Sequence, residues 1–309
     1  AYEIGVRLVG SEMCIRDRNM AVQFEIQTLH PALGAQVVGL SLAAPMDDET
    51  FQAIRNAWMK HLVLVFPKQN LSDEQQITFS RRFGVLEEHH QAIIKSRTSP
   101  HVFRVSNVDD DGNLMSANHP SVAQISLAQL WHTDSSYRAV PSMGSILHGI
   151  EVTKEGGETC FTNMYMVYDA LDPVIKQSIA GCRARHDFGH LTKLAPVKPL
   201  TKEERQAMLP VWQPMVRKHP WTGRPSLFIS PIYNDAIEGM NDEKSAELLT
   251  ELTDFAGREE FVYRHSWTSG DVVMWDNRCT MHRVTPYDLN LRRVMHRNTV
   301  VGDGPVMAA

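Results

Sequence analysis

In the stretch "DDETFQAIRNAWMKH", residues 47–61, Phe51, Ile54 and Trp58 recur at spacings of three and four behind an acidic start, which predicts a helix with one apolar face. The run "LVLVF" at 62–66 has no polar interruption and reads as a buried strand. "SDEQQITFSRRFG" predicts a second helix, with Ser72 as N-cap, Gln75 completing a capping box and Gly84 as the stop. Short helices are expected at "DPVIKQSIAG" and "TKEERQAML", the latter opened by Thr201 and Glu204, and a longer one at "NDEKSAELLTELTDFAG". Past Gly257 the pattern changes to short β-branched and aromatic runs between turn residues, "EFVYRHSW", "DVVMWD" and "RRVMHRNTVV", which predict strands.

Residues 107–120, "NVDDDGNLMSANHP", are acidic, carry Gly112 and Pro120, and show no period, so they read as a loop suited to act as a mobile lid. Regular patterning starts at "VQFEIQTL", just after Met20. Residues 1–19 are therefore expected to be extraneous or unstructured, and residues 20–309 to form a single domain. The order of elements implies a β-rich α+β core decorated by helices. A doubly wound nucleotide-binding sheet is disfavoured, because Gly156 and Gly157 alone do not make a phosphate loop.

Composition narrows the field. The chain has 309 residues, 43% of them hydrophobic, enough for one large core, and a formal net charge of -5 with the signs well mixed. No basic field draws a nucleic acid, and no apolar run approaches the roughly 18 residues of a membrane span. "AYEIGVRLVGSEMCIRDRN" is too broken by charges for a signal peptide, so a cytoplasmic location is expected. Cys14, Cys160, Cys182 and Cys279 lack paired spacing, which suits reduced thiols used in packing.

The candidate chemistry begins with "QLWHTDSSYRAVP", residues 129–141. On extended backbone, residues two apart point to the same side, so His132 and Asp134 are able to grip one ion together; an ordinary hydrogen-bonded turn is the plainer alternative. A third ligand decides, and His282 in "MWDNRCTMHRVTPYD" is the candidate. Two imidazoles and one carboxylate make the facial triad that holds Fe(II) with positions left open. Cys279, three residues before His282, suggests zinc, but no second Cys-x-x-Cys or His-x-x-x-His supports it. In "RRVMHRNTV", Arg293 and Arg297 share one strand face roughly 13 Å apart. If that face is buried, it requires anionic partners; if exposed, it is a solvated edge.

Residues from about Met20 to Val306 resemble the family of taurine dioxygenase and 2,4-dichlorophenoxyacetate dioxygenase, iron(II) and 2-oxoglutarate dependent oxygenases. The resemblance rests on "LWHTDSSY", on "GGETCF" with Thr159 twenty-five after Asp134, on "GDVVMWDNRCTMHR", and on "RRVMHRNTVVGD" with Arg293 eleven after His282. "WHTDSSY" and "EFVYRHSW" with "GDVVMWDNRC" are closer to the aryloxyacetate branch; "VMHRNTVVGD" and "RARHDF" lean toward taurine. The resemblance implies a double-stranded β-helix of jelly-roll type, Fe(II) on His132, Asp134 and His282, and the distal carboxylate of 2-oxoglutarate on Arg293 and Thr159, with O2 as second cosubstrate. It makes Arg297 the anchor of a small anionic substrate, an aryloxyalkanoate-like carboxylate or a sulfonate. Of "EEHHQAIIK", His89 or His90 and Lys95 are further substrate candidates against a solvated loop, and Tyr233 in "FISPIYND" is a pocket candidate against a core tyrosine. Look-alikes imply a homo-oligomer, dimer or tetramer. The competing readings are a non-catalytic jelly-roll protein that binds a small anion and a zinc hydrolase built on the same three ligands.

Overall fold

The strand Val272–Asp276 carries four apolar residues in a row and is buried along its whole length, so it belongs in the middle of a sheet. In the computed structural model it pairs antiparallel with Val63–Phe66 on one side and Gly144–Glu151 on the other. Described are residues 24–88, 99–116, 119–195 and 200–309. The full seven-stranded sheet runs Glu25–Thr28, Ala35–Val38, Val63–Phe66, Val272–Asp276, Gly144–Glu151, Val294–Val300, Phe103–Ser106. A second sheet, Val262–His265, Thr159–Asn163 and Thr280–Val284, lies against it. Phe161 and Tyr263 from the small sheet meet Leu147, Val273, Trp275 and Met295 from the large one in a shared apolar layer. The pairing is antiparallel throughout except between Ala35–Val38 and Val63–Phe66, which run parallel, and the two sheets packed face to face give the expected jelly roll.

Helices close the outer faces. Asp48–His61 is capped by the Asp47 carboxylate, which accepts from the Thr50 amide, and it buries Ile54 and Trp58 against the large sheet. Asp73–Arg81 opens with the Ser72 and Gln75 capping box and packs Ile77 and Phe79 beside them. This helix ends at Arg81, short of Gly84, because its last turn tightens into bonds to the Phe79 and Ser80 carbonyls. Asp242–Ala256 seats Leu249 and Leu252 on the small sheet, with Thr162 Oγ1 donating to the Ala256 carbonyl. Among the described residues, no helix is long and apolar enough to cross a membrane.

One stretch read as loop behaves differently in part: Pro120 opens a helix, Pro120–Leu127, instead of ending the loop. The remainder turns back on itself through the Val108 and Leu114 bridge. Residues 1–19, and His89, His90 and Lys95, lie outside the described residues.

Candidate active site

Two backbone bonds set the centre of the site. The His132 amide donates to the His282 carbonyl (3.0 Å) and the His282 amide to the His132 carbonyl (2.8 Å), so the residues face each other as an antiparallel bridge. Their rings lie side by side, centroids 4.1 Å apart. His132 Nδ1 donates to the Leu130 carbonyl (2.8 Å), which fixes the tautomer and leaves the Nε2 lone pair free. Thr133 turns the other way, its amide donating to Ser230 Oγ and its hydroxyl reaching the Thr280 carbonyl. Asp134 therefore returns to the side of His132, as period-two geometry predicts. Ser135 then turns the chain with φ 53°, its hydroxyl donating to buried Glu87 Oε2 (2.8 Å).

The ligand atoms of His132, Asp134 and His282 lie within 4.8 Å of one another, and all three residues are buried. Burial pushes the Asp134 carboxyl up, but the Arg297 guanidinium and the Ser145 hydroxyl help hold the group ionised, below the usual carboxylate range. Arg297 Nη1 donates to Oδ1 (2.7 Å) and Ser145 Oγ to Oδ2 (2.8 Å). Burial pulls both imidazoles down, and each is neutral near pH 7. Two neutral imidazoles and one carboxylate are a donor set for a divalent ion of intermediate hardness.

A second group, His219, Asp276 and Cys279, is equally close-set. Its carboxylate is already filled: Oδ1 accepts from the Arg278 amide and Nε, Oδ2 from Arg278 Nη2 and His219 Nε2. This is a structural ion pair, and Cys279 gathers with it instead of joining His282, which removes the zinc pair suggested by their spacing.

Both arginines line one pocket with the triad, together with Thr159 and Tyr233. The expectation that an inward face needs anions for both is met for Arg297, through Asp134. Arg293 is different. It is 3% exposed, has no carboxylate partner among the described residues, and its Nε is unpaired; Nη2 reaches only the Gly157 carbonyl (3.2 Å), and the guanidinium faces the Tyr287 ring. Burial pulls its pKa down, a sign that the cation lacks compensation. Thr159 Oγ1 accepts from Trp267 Nε1 (2.9 Å), so its own proton remains to donate. Apart from Arg104 and Ser121, the other walls are apolar, with Phe103, Ile125, Leu191, Ile232 and Trp275 prominent.

Ser145 and Trp267 were not legible in the sequence as site residues. A serine inside a strand and a tryptophan after one give no spacing signal, and only the folded register brings them to Asp134 and Thr159.

A jelly roll with two neutral imidazoles, one ionised carboxylate and an uncompensated buried arginine on a single pocket defines a non-haem metal enzyme with an anionic cosubstrate. Residues 25–299 match the family described as "Taurine catabolism dioxygenase TauD, TfdA family", and the chain belongs to it. It is 36% identical over 293 residues to the (S)-phenoxypropionate/alpha-ketoglutarate-dioxygenase of Sphingobium herbicidovorans, covering 92% of this chain and 97% of that protein. It is 37% identical over 284 residues to the alpha-ketoglutarate-dependent 2,4-dichlorophenoxyacetate dioxygenase of Cupriavidus pinatubonensis, covering 90% and 98%. The crystal structure of AAD-2 in complex with Mn(II) and N-oxalylglycine superposes with a TM-score of 0.83 at 35% identity, over 93% of this chain and 99% of that one. The protein is a 2-oxoglutarate-dependent dioxygenase that uses Fe(II) and O2.

Proposed function

We propose that the pocket hydroxylates a small aryloxyalkanoate-like carboxylate, with His132, Asp134 and His282 as the iron ligands and Arg293 with Thr159 as the seat of the distal carboxylate of 2-oxoglutarate. The observation that carries this reading is the buried Arg293 beside the triad without an acidic partner among the described residues. A planar two-donor fork with an unpaired Nε suits a carboxylate brought in by a cosubstrate. Fe(II), once bound, supplies the oxygen chemistry that side chains lack.

Arg297 has two duties in this reading. Nη1 holds Asp134 Oδ1, and the guanidinium lines the pocket with Nε left unpaired, which supports a role toward a substrate anion. The apolar wall of Phe103, Ile125 and Tyr233 suits an aryl group better than the short chain of an aminosulfonate. Relatives named for phenoxypropionate and 2,4-dichlorophenoxyacetate support the same class. In the balanced reaction one oxygen atom of O2 enters the substrate C–H bond and the other enters succinate as 2-oxoglutarate loses CO2. Where the hydroxylated carbon bears the ether oxygen, the product falls apart into a phenol and a carbonyl compound.

Companion proposals are a single domain over residues 20–309, a homo-oligomeric assembly by likeness to the family, and a cytoplasmic location without nucleic-acid partners, the last two points supported by the free cysteines and the mixed charge. His89, His90 and Lys95 remain candidate substrate contacts from the sequence alone. The test is succinate formation by Fe(II)-loaded protein given 2-oxoglutarate, O2 and a panel of phenoxyacetates, phenoxypropionates and taurine. Succinate that rises with an aryloxyalkanoate and not with taurine is expected; a rise with taurine alone overturns the substrate assignment.

A further inference from the structure

The turn that carries the chain from the large sheet to the small one, residues 277–279, lies between the strand of Trp275 and the strand of His282. Asn277 in this turn is 1% exposed and stands in the middle of a hydrogen-bond chain. Trp275 Nε1 donates to Asn277 Oδ1 (2.8 Å). An indole nitrogen only donates, so the amide is oriented without ambiguity and its NH2 faces the opposite way. There it donates to Ser145 Oγ and to Ser142 Oγ, both at 3.0 Å. Each serine has one proton. With the amide occupying an acceptor position, Ser145 points its proton at Asp134 Oδ2 (2.8 Å) and Ser142 its proton at the Asp134 carbonyl (3.0 Å).

The direction of every bond follows from its start. A donor-only indole fixes an amide, the amide fixes two hydroxyls, and the hydroxyls fix the side chain and the backbone of Asp134. Ser142, Ser145 and Asn277 are each at most 1% exposed, so water does not compete for these donors. Trp275 also lines the pocket, which ties a wall of the substrate site to the far side of the proposed metal ligand.

We infer that Asn277 and Ser145 are positioning residues for the metal centre: the relay from Trp275 through Asn277 and Ser145 aims the Asp134 carboxylate and sets how tightly the three ligands hold their ion. Neither residue reaches the ion; both act through Asp134. The inference rests on the proposed assignment of His132, Asp134 and His282 as ligands. Removal of an outer partner of a metal ligand commonly weakens metal binding roughly 10–100-fold, and that is the size expected here.

The experiment is anaerobic titration of Co(II) into the metal-free full chain, followed by its visible absorption, for wild type, Ser145→Ala, Asn277→Leu, the double variant and His132→Ala. Ser145→Ala and Asn277→Leu are expected each to lower Co(II) affinity roughly 10–100-fold and to shift the Co(II) bands. The double variant is expected to lose clearly less than the product of the two single losses, because Asn277 acts on the Asp134 carboxylate through Ser145 and reaches its backbone through Ser142. Urea unfolding of the metal-free variants separates this loss from a general weakening of the fold. Ser145→Ala binding Co(II) within about twofold of wild type overturns the inference, as does a double variant whose loss is the product of the single losses. Should Asn277→Leu fail to fold, Ser145→Ala still decides. If His132→Ala binds Co(II) as wild type does, the ligand assignment itself falls and the relay falls with it; wild-type binding lost in His132→Ala but retained in Ser145→Ala sinks the relay alone.

Discussion

Arg293 shows how much one side chain reveals when no carboxylate among the described residues balances it. A cation 3% exposed, with an unpaired Nε, is costly in the ligand-free fold, and under the proposed assignment that cost is recovered by the carboxylate of 2-oxoglutarate. Arg293→Met is expected to raise the stability of the ligand-free protein by about 1 kcal/mol or more while weakening 2-oxoglutarate binding at least about 100-fold. Chemical denaturation together with a binding titration checks both; a variant less stable than wild type would show that Arg293 has a structural partner after all. The sequence could place Arg293 and Arg297 on one face but could not tell a buried face from an exposed one. That depends on the sheet's neighbours. The same limit hid Ser145, since a strand serine looks alike whether it meets water or a carboxylate. The alternation in His-Thr-Asp was legible because it depends only on local backbone geometry.

The elements that hold the site are joined by close backbone passages more than by large side chains. Gly156 adopts φ +69°, and a Cβ there would come within 2.3 Å of the Pro286 carbonyl oxygen. Its neighbour Gly157, at φ +74°, presents the carbonyl that accepts from Arg293. The pair thus serves as the close-approach point between the turn before Thr159 and the segment leading to Arg293, not as a phosphate loop. Gly156→Ala is expected to cost at least about 2 kcal/mol of stability and to reduce 2-oxoglutarate affinity more than metal affinity, read by urea unfolding and by separate titrations. Equal losses of both affinities would place the strain elsewhere. Helix starts were legible at Asp47, Ser72 and Thr201, but not at Asn163, whose side chain caps Met164–Ala170. The helix Pro120–Leu127 was not, because it lacks an amphipathic period and follows an acidic loop. Strands of three or four residues such as Val216–Lys218 and Pro225–Leu227 are too short for alternation to register, and their pairing supplies the signal their sequence lacks.

At the scale of the molecule, the proposed ligands hang between two sheets: His282 on the small one, Asp134 held by Ser145 and Arg297 on the large one. Anything that loosens the packing between sheets separates the ligands. Buried histidines elsewhere, such as His186 on the separate strand Arg183–His186, make the fold sensitive to acid. Burial pulls His186 down to about 3, with Nδ1 against Ser136 Oγ and the ring stacked near Phe228. Below about pH 6.5 the unfolded chain takes up a proton that the folded chain refuses, so the His186 contribution is complete above that pH and falls as the pH drops toward 3. The slope from this group is up to about 1.4 kcal/mol per pH unit. His186→Gln is expected to be less stable at pH 7 but to lose stability less steeply between about pH 6 and 4; urea midpoints that shift in parallel with wild type would exclude His186 as a source of the acid dependence.

The reading as a whole depends on one pocket joining a divalent metal to a dicarboxylate. Anaerobic titration of 2-oxoglutarate into Fe(II)-loaded protein, followed in the visible range, tests that junction directly. A charge-transfer band that saturates at one 2-oxoglutarate per iron, vanishes in His132→Ala and requires far more 2-oxoglutarate in Arg293→Met is the predicted result. Stoichiometric iron with no band at any 2-oxoglutarate concentration, or a band untouched by Arg293→Met, would contradict it.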